Sequence, residues 1–138
     1  MRTRLTIIEP EVSTSVTTRE IHGLKRWRVH SLSLRIDNTL GLATCCPFIQ
    51  IEEVIPSGAK TVGAACGTTL AAAAPAEECV AAINLALQRT ILDPNIQTFG
   101  LEDAWLTRDA RVTIGFGGGD ANTVLSNVIF TIEELLDD

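Results

Sequence analysis

Alternation of apolar and polar side chains is the clearest signal in this chain. From Arg26 to Asp37 the residues His30, Leu32, Leu34 and Ile36 alternate with Val29, Ser31, Ser33 and Arg35. A period of two predicts a strand with one buried face. Thr123 to Ile132 repeats the pattern, with Val124, Ser126, Val128, Phe130 and Ile132 on one side. Arg4 to Ile8, Val12 to Ile21, Phe48 to Ile55 and Ala110 to Phe116 also predict strands, being rich in β-branched residues. The first two of these read as a hairpin through Glu9-Pro10-Glu11. Asn38 to Gly41 and Pro56-Ser57-Gly58 punctuate the chain as turns.

One segment has a different rhythm. Pro75 suits a first helical position, Glu77 and Glu78 suit the first turn, and Arg89 suits the last. Val80, Ile83, Leu87 and Ile91 recur at helical spacing, which predicts a helix over 75–91 stopped by Asp93-Pro94. The sum is an α+β but mainly β fold: an antiparallel sheet, sandwich or barrel of about seven short strands with one main helix. There is no βαβ alternation, which excludes a doubly wound nucleotide fold.

At 138 residues the chain reads as one domain, 1–138, able to bury about two thirds of its unfolded surface. Only 4% of it is aromatic against 46% hydrophobic, so Ala, Val, Ile and Leu carry the core. The apolar run after Met1 is too short for a leader, and residues 61–76 are too rich in alanine, glycine and threonine to stay in lipid. These features predict a cytoplasmic product with no membrane contact.

Charge is divided along the chain. Residues 1–60 hold eight Lys/Arg against six Asp/Glu, a balance of +2, while 61–138 hold three against eleven, a balance of −8. If the halves present separate surfaces, copies meeting head to tail pair opposite signs.

Four candidate sites follow. The stretch GFGGGDANT at 115–123 offers Gly117, Gly118, Gly119 and Asp120 as a ligand loop. Aspartate stands where a dinucleotide fingerprint needs its third glycine, and no lysine follows as in a phosphate-binding loop, so a tight hairpin turn using positive φ is the favoured reading. Lys25, Arg26, Trp27 and Arg28 set cations around an aromatic ring, a pattern that grips phosphate and stacks a base. The alternative there is a strand with a solvated basic face and a core tryptophan. Cys66, in GAACGTT, is a candidate reactive thiol needing His22 or His30 as base. Cys45, Cys46, Cys66 and Cys79 form no C-x-x-C pair, so reduced, buried thiols are expected and neither a metal site nor a cofactor is predicted. Glu102-Asp103 and the acids of the tail, Glu133, Glu134, Asp137 and Asp138, read as solvated.

ECVAAINLALQRTILDPNI followed by GFGGGDANTVL resembles the C-terminal part of the β-ketoacyl synthases, where an alanine-rich helix, a proline turn and a glycine loop occur in that order. Gly115, Phe116, Gly117, Gly118 and Asn122 occupy the matching loop positions, Asn122 displaced by insertion. The resemblance implies a thiolase-like core over at most half the chain. It also implies lost chemistry, because Lys60-Thr-Val-Gly63 is followed by alanine where that family has histidine, and no H-G-T motif is present.

With no catalytic set in view, the sequence points to a non-enzymatic subunit that assembles with copies of itself, as coat or tail proteins of virus-like particles do. Two alternatives stand beside it. One is a degenerate ketosynthase-like subunit or enzyme using Cys66 and the loop at 115–122. The other is a small nucleic-acid-binding module using Lys25 to Arg28, or a basic inner face of an assembled shell touching nucleic acid.

Overall fold

The computed structural model describes residues 2–9, 16–20, 26–90, 93–107 and 109–136, with the backbone alone at 16–20. Eleven strands are present among them, and no helix. They are β1 (Arg2–Ile8), β2 (Val16–Glu20), β3 (Arg26–Asp37), β4 (Cys45–Ile55), β5 (Gly58–Cys66), β6 (Glu77–Ile83), β7 (Gln88–Arg89), β8 (Ile96–Leu101), β9 (Leu106–Thr107), β10 (Ala110–Gly118) and β11 (Val124–Leu136). The larger sheet runs β1-β11-β3-β6-β8-β7 with β9 beside β3, and the smaller runs β2-β10-β4-β5. Apart from the parallel pair β6 and β8, every pairing is antiparallel.

The eight longer strands other than β8 cross between the sheets in a fixed order. One sheet holds β1-β11-β3-β6 and the other β2-β10-β4-β5, which is the strand order of a jelly-roll sandwich. Residues 84–107 are inserted into this frame and lengthen the larger sheet by β8 and β7. One apolar core lies between the sheets. Trp27, Leu32, Leu34, Phe99 and Phe130 come from the larger sheet, and Ile49, Ile51, Val112 and Ile114 from the smaller.

Several expectations are corrected. The hairpin expected from 4–8 and 12–21 is not formed by the described strands: β1 pairs with β11 and β2 with β10, in different sheets, while 12–15 and 21 lie outside the described residues. The helix expected over 75–91 is replaced by β6 and β7. Cys79 and Ala81 point inward there, while Val80, expected inside, is exposed, as is Leu87. Ladders to β3 on one side and β8 on the other satisfy this backbone, so tertiary pairing overrides local helix signals. Strands β5, β7, β8 and β9 are additions to the sequence reading; β5 is so poor in large side chains that it gives almost no alternation.

Two bulges change the phase of the clearest strands. On β3, Ser31 pairs with Thr131 but Val29 with Ile132, so His30 is an extra residue. Val29 therefore turns inward with Leu32, Leu34 and Ile36, and His30 turns out. On β11 the shift falls between Ser126 and Ile129, where Asn127 has φ +52°. Val128, Phe130 and Ile132 point inward as predicted, whereas before the bulge Leu125 is buried and Val124 exposed.

Candidate functional site

The chemistry-bearing residues gather at one end of the sandwich. At the end of β3, Ile36 pairs with Glu77 and Asp37 with Val124, while Cys45 at the start of β4 pairs with Gly118. This register brings the loops 38–44, 67–76 and 119–123 together.

Asn38 holds them. It is fully buried, its amide donates to Ala43 O and Ala71 O at 2.9 Å each, and its Oδ1 accepts from Thr123 Oγ1 at 2.9 Å. Gly119 N donates to Thr44 O at 2.7 Å, Ala73 N to Gly41 O at 3.1 Å, and Leu42 N to the Asp120 carboxylate at 2.7 Å. The loop 38–44 is thus fastened on both sides. It carries Leu40 and Leu42, which are nevertheless 76% and 86% exposed. Sequence reasoning passed over these leucines because Asn38 to Gly41 was read as punctuation. Two apolar side chains inside a turn segment were the available signal.

The glycine stretch is a structural turn, and it joins the two sheets instead of closing a hairpin. Gly118 and Gly119 both have φ +70°, and a Cβ at Gly118 would lie 2.6 Å from Thr44 O. Its polar groups are already engaged: Asp120 N donates to Thr123 Oγ1, and Thr123 N to Asp120 O. Backbone N–H donation from Leu42, then from Asn122, holds the Asp120 carboxyl below its ordinary value of 3.8. The loop therefore places a carboxylate, not a row of free donors, where an anion cradle needs N–H groups.

Along β3, Lys25 lies outside the described residues. Trp27 is buried and its indole N–H donates to Thr107 O at 2.8 Å, so it offers no stacking face. Arg28 is gripped by Glu133 at 2.9 Å and Asp103 at 2.6 Å. Arg26 is exposed, its guanidinium 5.9 Å from the Trp105 ring, with Arg28 at 4.9 Å. The acids read as solvated are in part working partners, since Glu134 is buried and pairs with Arg4 at 2.6 Å. Asp137 and Asp138 lie outside the described residues. Arg4–Glu134, Arg28–Glu133, Arg28–Asp103 and Arg35–Glu78 all join the basic half of the chain to the acidic half within one molecule. These pairs engage part of the charge gradient within one molecule.

The thiols divide into two kinds. Cys45 and Cys79 are buried, and burial pushes them up to about 11 and about 12. Cys46 is half-buried and Cys66 exposed, contrary to the expectation of four buried thiols. Cys66 sits at an open apolar groove of about 230 Å³ lined by Phe48, Ile49, Gln50, Ala64 and Ala65 as well. His30 is not placed as its base, since it points outward from β3 in the other sheet; His22 lies outside the described residues. Among the described residues no three His, Cys, Asp or Glu side chains gather in a way that could hold a metal ion.

No protein-family model matches the chain, and no curated protein matches it. A solved structure of a "putative secreted protein" from Parabacteroides distasonis ATCC 8503 is similar, with 10% identity and a TM-score of 0.40. The match covers 96% of this chain and 48% of that one, so the chain spans about half its length. That protein is described as secreted, and the cytoplasmic expectation is withdrawn. A short apolar run near residue 5 does not set a compartment. For the described residues, no helix is long and apolar enough to cross a membrane.

Proposed function

We propose that this protein is a non-enzymatic structural subunit that assembles with copies of itself, of the coat or tail type found in virus-like particles. The observation that carries the reading is the fastened loop 38–44. Hydrogen bonds fix its backbone while Leu40 and Leu42 stand in water. Rigid, solvent-facing apolar side chains are anchors whose ordering cost is met before any partner arrives. The groove at Phe48 and Ala64 offers a copy's leucines an apolar seat elsewhere on the same surface, the geometry of a head-to-tail contact. A jelly-roll strand order agrees with this reading by analogy, since capsid proteins use it among others. The long uncharged part of edge strand β5, residues 61–66, adds a second adhesive element.

Light scattering across a concentration series tests the reading. The wild type is expected to grow beyond monomer mass, and Leu40→Ser with Leu42→Ser to return it to monomer. A wild type that stays monomeric at the highest attainable concentration overturns it.

A further inference from the structure

Beyond the assembly reading, two thiols are diagonal neighbours at the end of the smaller sheet, one of them, Cys66, on the apolar groove beside Phe48 and Ala64. Phe48 pairs with Cys66 across β4 and β5, so Cys46, two residues back on the same face, is the diagonal neighbour of Cys66. The ladder runs one step further, with Gly67 N donating to Pro47 O at 2.9 Å. Cys46 Sγ donates to Gly67 O at 3.0 Å, which sets it against the residue next to Cys66. Both are free. Cys45, adjacent in sequence, faces the core on the opposite side of β4 and cannot compete.

We propose that Cys46 and Cys66 form a dithiol modification site for small-molecule disulfides, in which exposed Cys66 opens the reagent and half-buried Cys46 resolves it. In the first exchange the Cys66 thiolate bonds to one sulfur of a reagent RSSR and expels RS⁻. In the second the Cys46 sulfur attacks Cys66 Sγ, forms the bridge and expels the other RS⁻. Each RS⁻ takes up the proton that the attacking cysteine lost. Two protein thiols are oxidised and one RSSR is reduced to two RSH. Burial, with Cys66 and Cys45 adding to it, pushes Cys46 up to about 11, so it serves as the slower, resolving partner. The bridge would clamp the end of β5, from which the chain enters the loop 67–76 that holds Asn38 and Gly41.

Oxidised glutathione added to the full chain, followed by intact and peptide mass spectrometry, tests this. The wild type is expected to lose two hydrogens, to show a Cys46–Cys66 cross-linked peptide, and to lose Cys66 alkylation. Cys46→Ser is expected to stop at a glutathione adduct on Cys66, with at least about tenfold more adduct than the wild type at the same time. Cys46→Ala serves if the serine variant fails to fold, and the wild-type time course stands without either. A wild type that accumulates the adduct without closing, or that joins Cys66 to another chain, overturns the proposal.

Discussion

Two buried polar clusters lie side by side at the loop end of the sandwich, and they are built from different chemistry. Around Asn38 the groups are neutral: one amide spends both donors and its acceptor on Ala43 O, Ala71 O and Thr123 Oγ1. Around Glu77 they are charged. Arg89 donates to both Glu77 oxygens at 3.1 Å and to Thr69 O at 2.6 Å, and fully buried Gln97 links Glu77 to the backbone of Thr68. The neutral cluster sets the shape of a loop that must hold two leucines in water. The ionic cluster instead supplies the partner that lets β6 turn a glutamate toward the core. An amide with all its bonds made has no alternative partner in solvent, whereas Arg89, with 36% of its side chain exposed, keeps part of its hydration.

Variants can break this contrast, and the neutral side is expected to be the more fragile. Asn38→Ala removes three hydrogen bonds, two to part-buried carbonyls and one to the buried Thr123 hydroxyl, and is expected to cost about 3 kcal/mol in urea unfolding, at roughly 1 kcal/mol for each. Glu77→Gln keeps the shape but removes the charge. It is expected to cost about 1–2 kcal/mol, below the usual figure for a broken buried pair because Arg89 can turn to water. A larger loss for Glu77→Gln than for Asn38→Ala would reverse the ranking.

Acidification sharpens the comparison further. Asp120 is the titrating group of the loop clasp, and its folded value is depressed below 3.8, so its contribution is complete at neutral pH and fades as pH falls below about 3.8 toward the folded value. The stability gap between the wild type and Asp120→Asn is expected to narrow over that window in pH-resolved unfolding. A gap that stays constant between pH 6 and the most acid point, or widens, would contradict the role of Leu42 N–H and Asn122 N–H as the cause. The smallest effect is expected at the tip of the loop. Leu40→Ser with Leu42→Ser should leave monomer unfolding within about 0.5 kcal/mol of the wild type, because these side chains pack on little within one chain.

Much of the sheet structure was legible. Leu32, Leu34 and Ile36 point inward as their alternation implies, and so do Val128, Phe130 and Ile132. The site was less legible. Cys66 and the glycine turn were singled out from composition, but Asn38 and Cys46 were not, because each matters through a neighbour remote in sequence; Leu40 and Leu42 sit in and beside a stretch that reads as a turn. Asn38 meets Thr123 across 85 positions, and Cys46 meets Gly67 across 21. The helix reading at 75–91 failed for the same reason: its acids and its proline suited a helix start, and nothing local announced β3 and β8 on either side.

By itself the sequence determined that most of this chain is extended, that small aliphatic residues build its core, and where the glycine turn bends. Tertiary structure alone decided which sheet each strand joins, the phase of β3 and β11 through bulges at His30 and Asn127, and the strand state of 77–83. The reason is physical. Side-chain alternation is a property of one strand, whereas register and bulges are set by hydrogen bonds between strands, and a shift of one residue turns every later side chain to the other face.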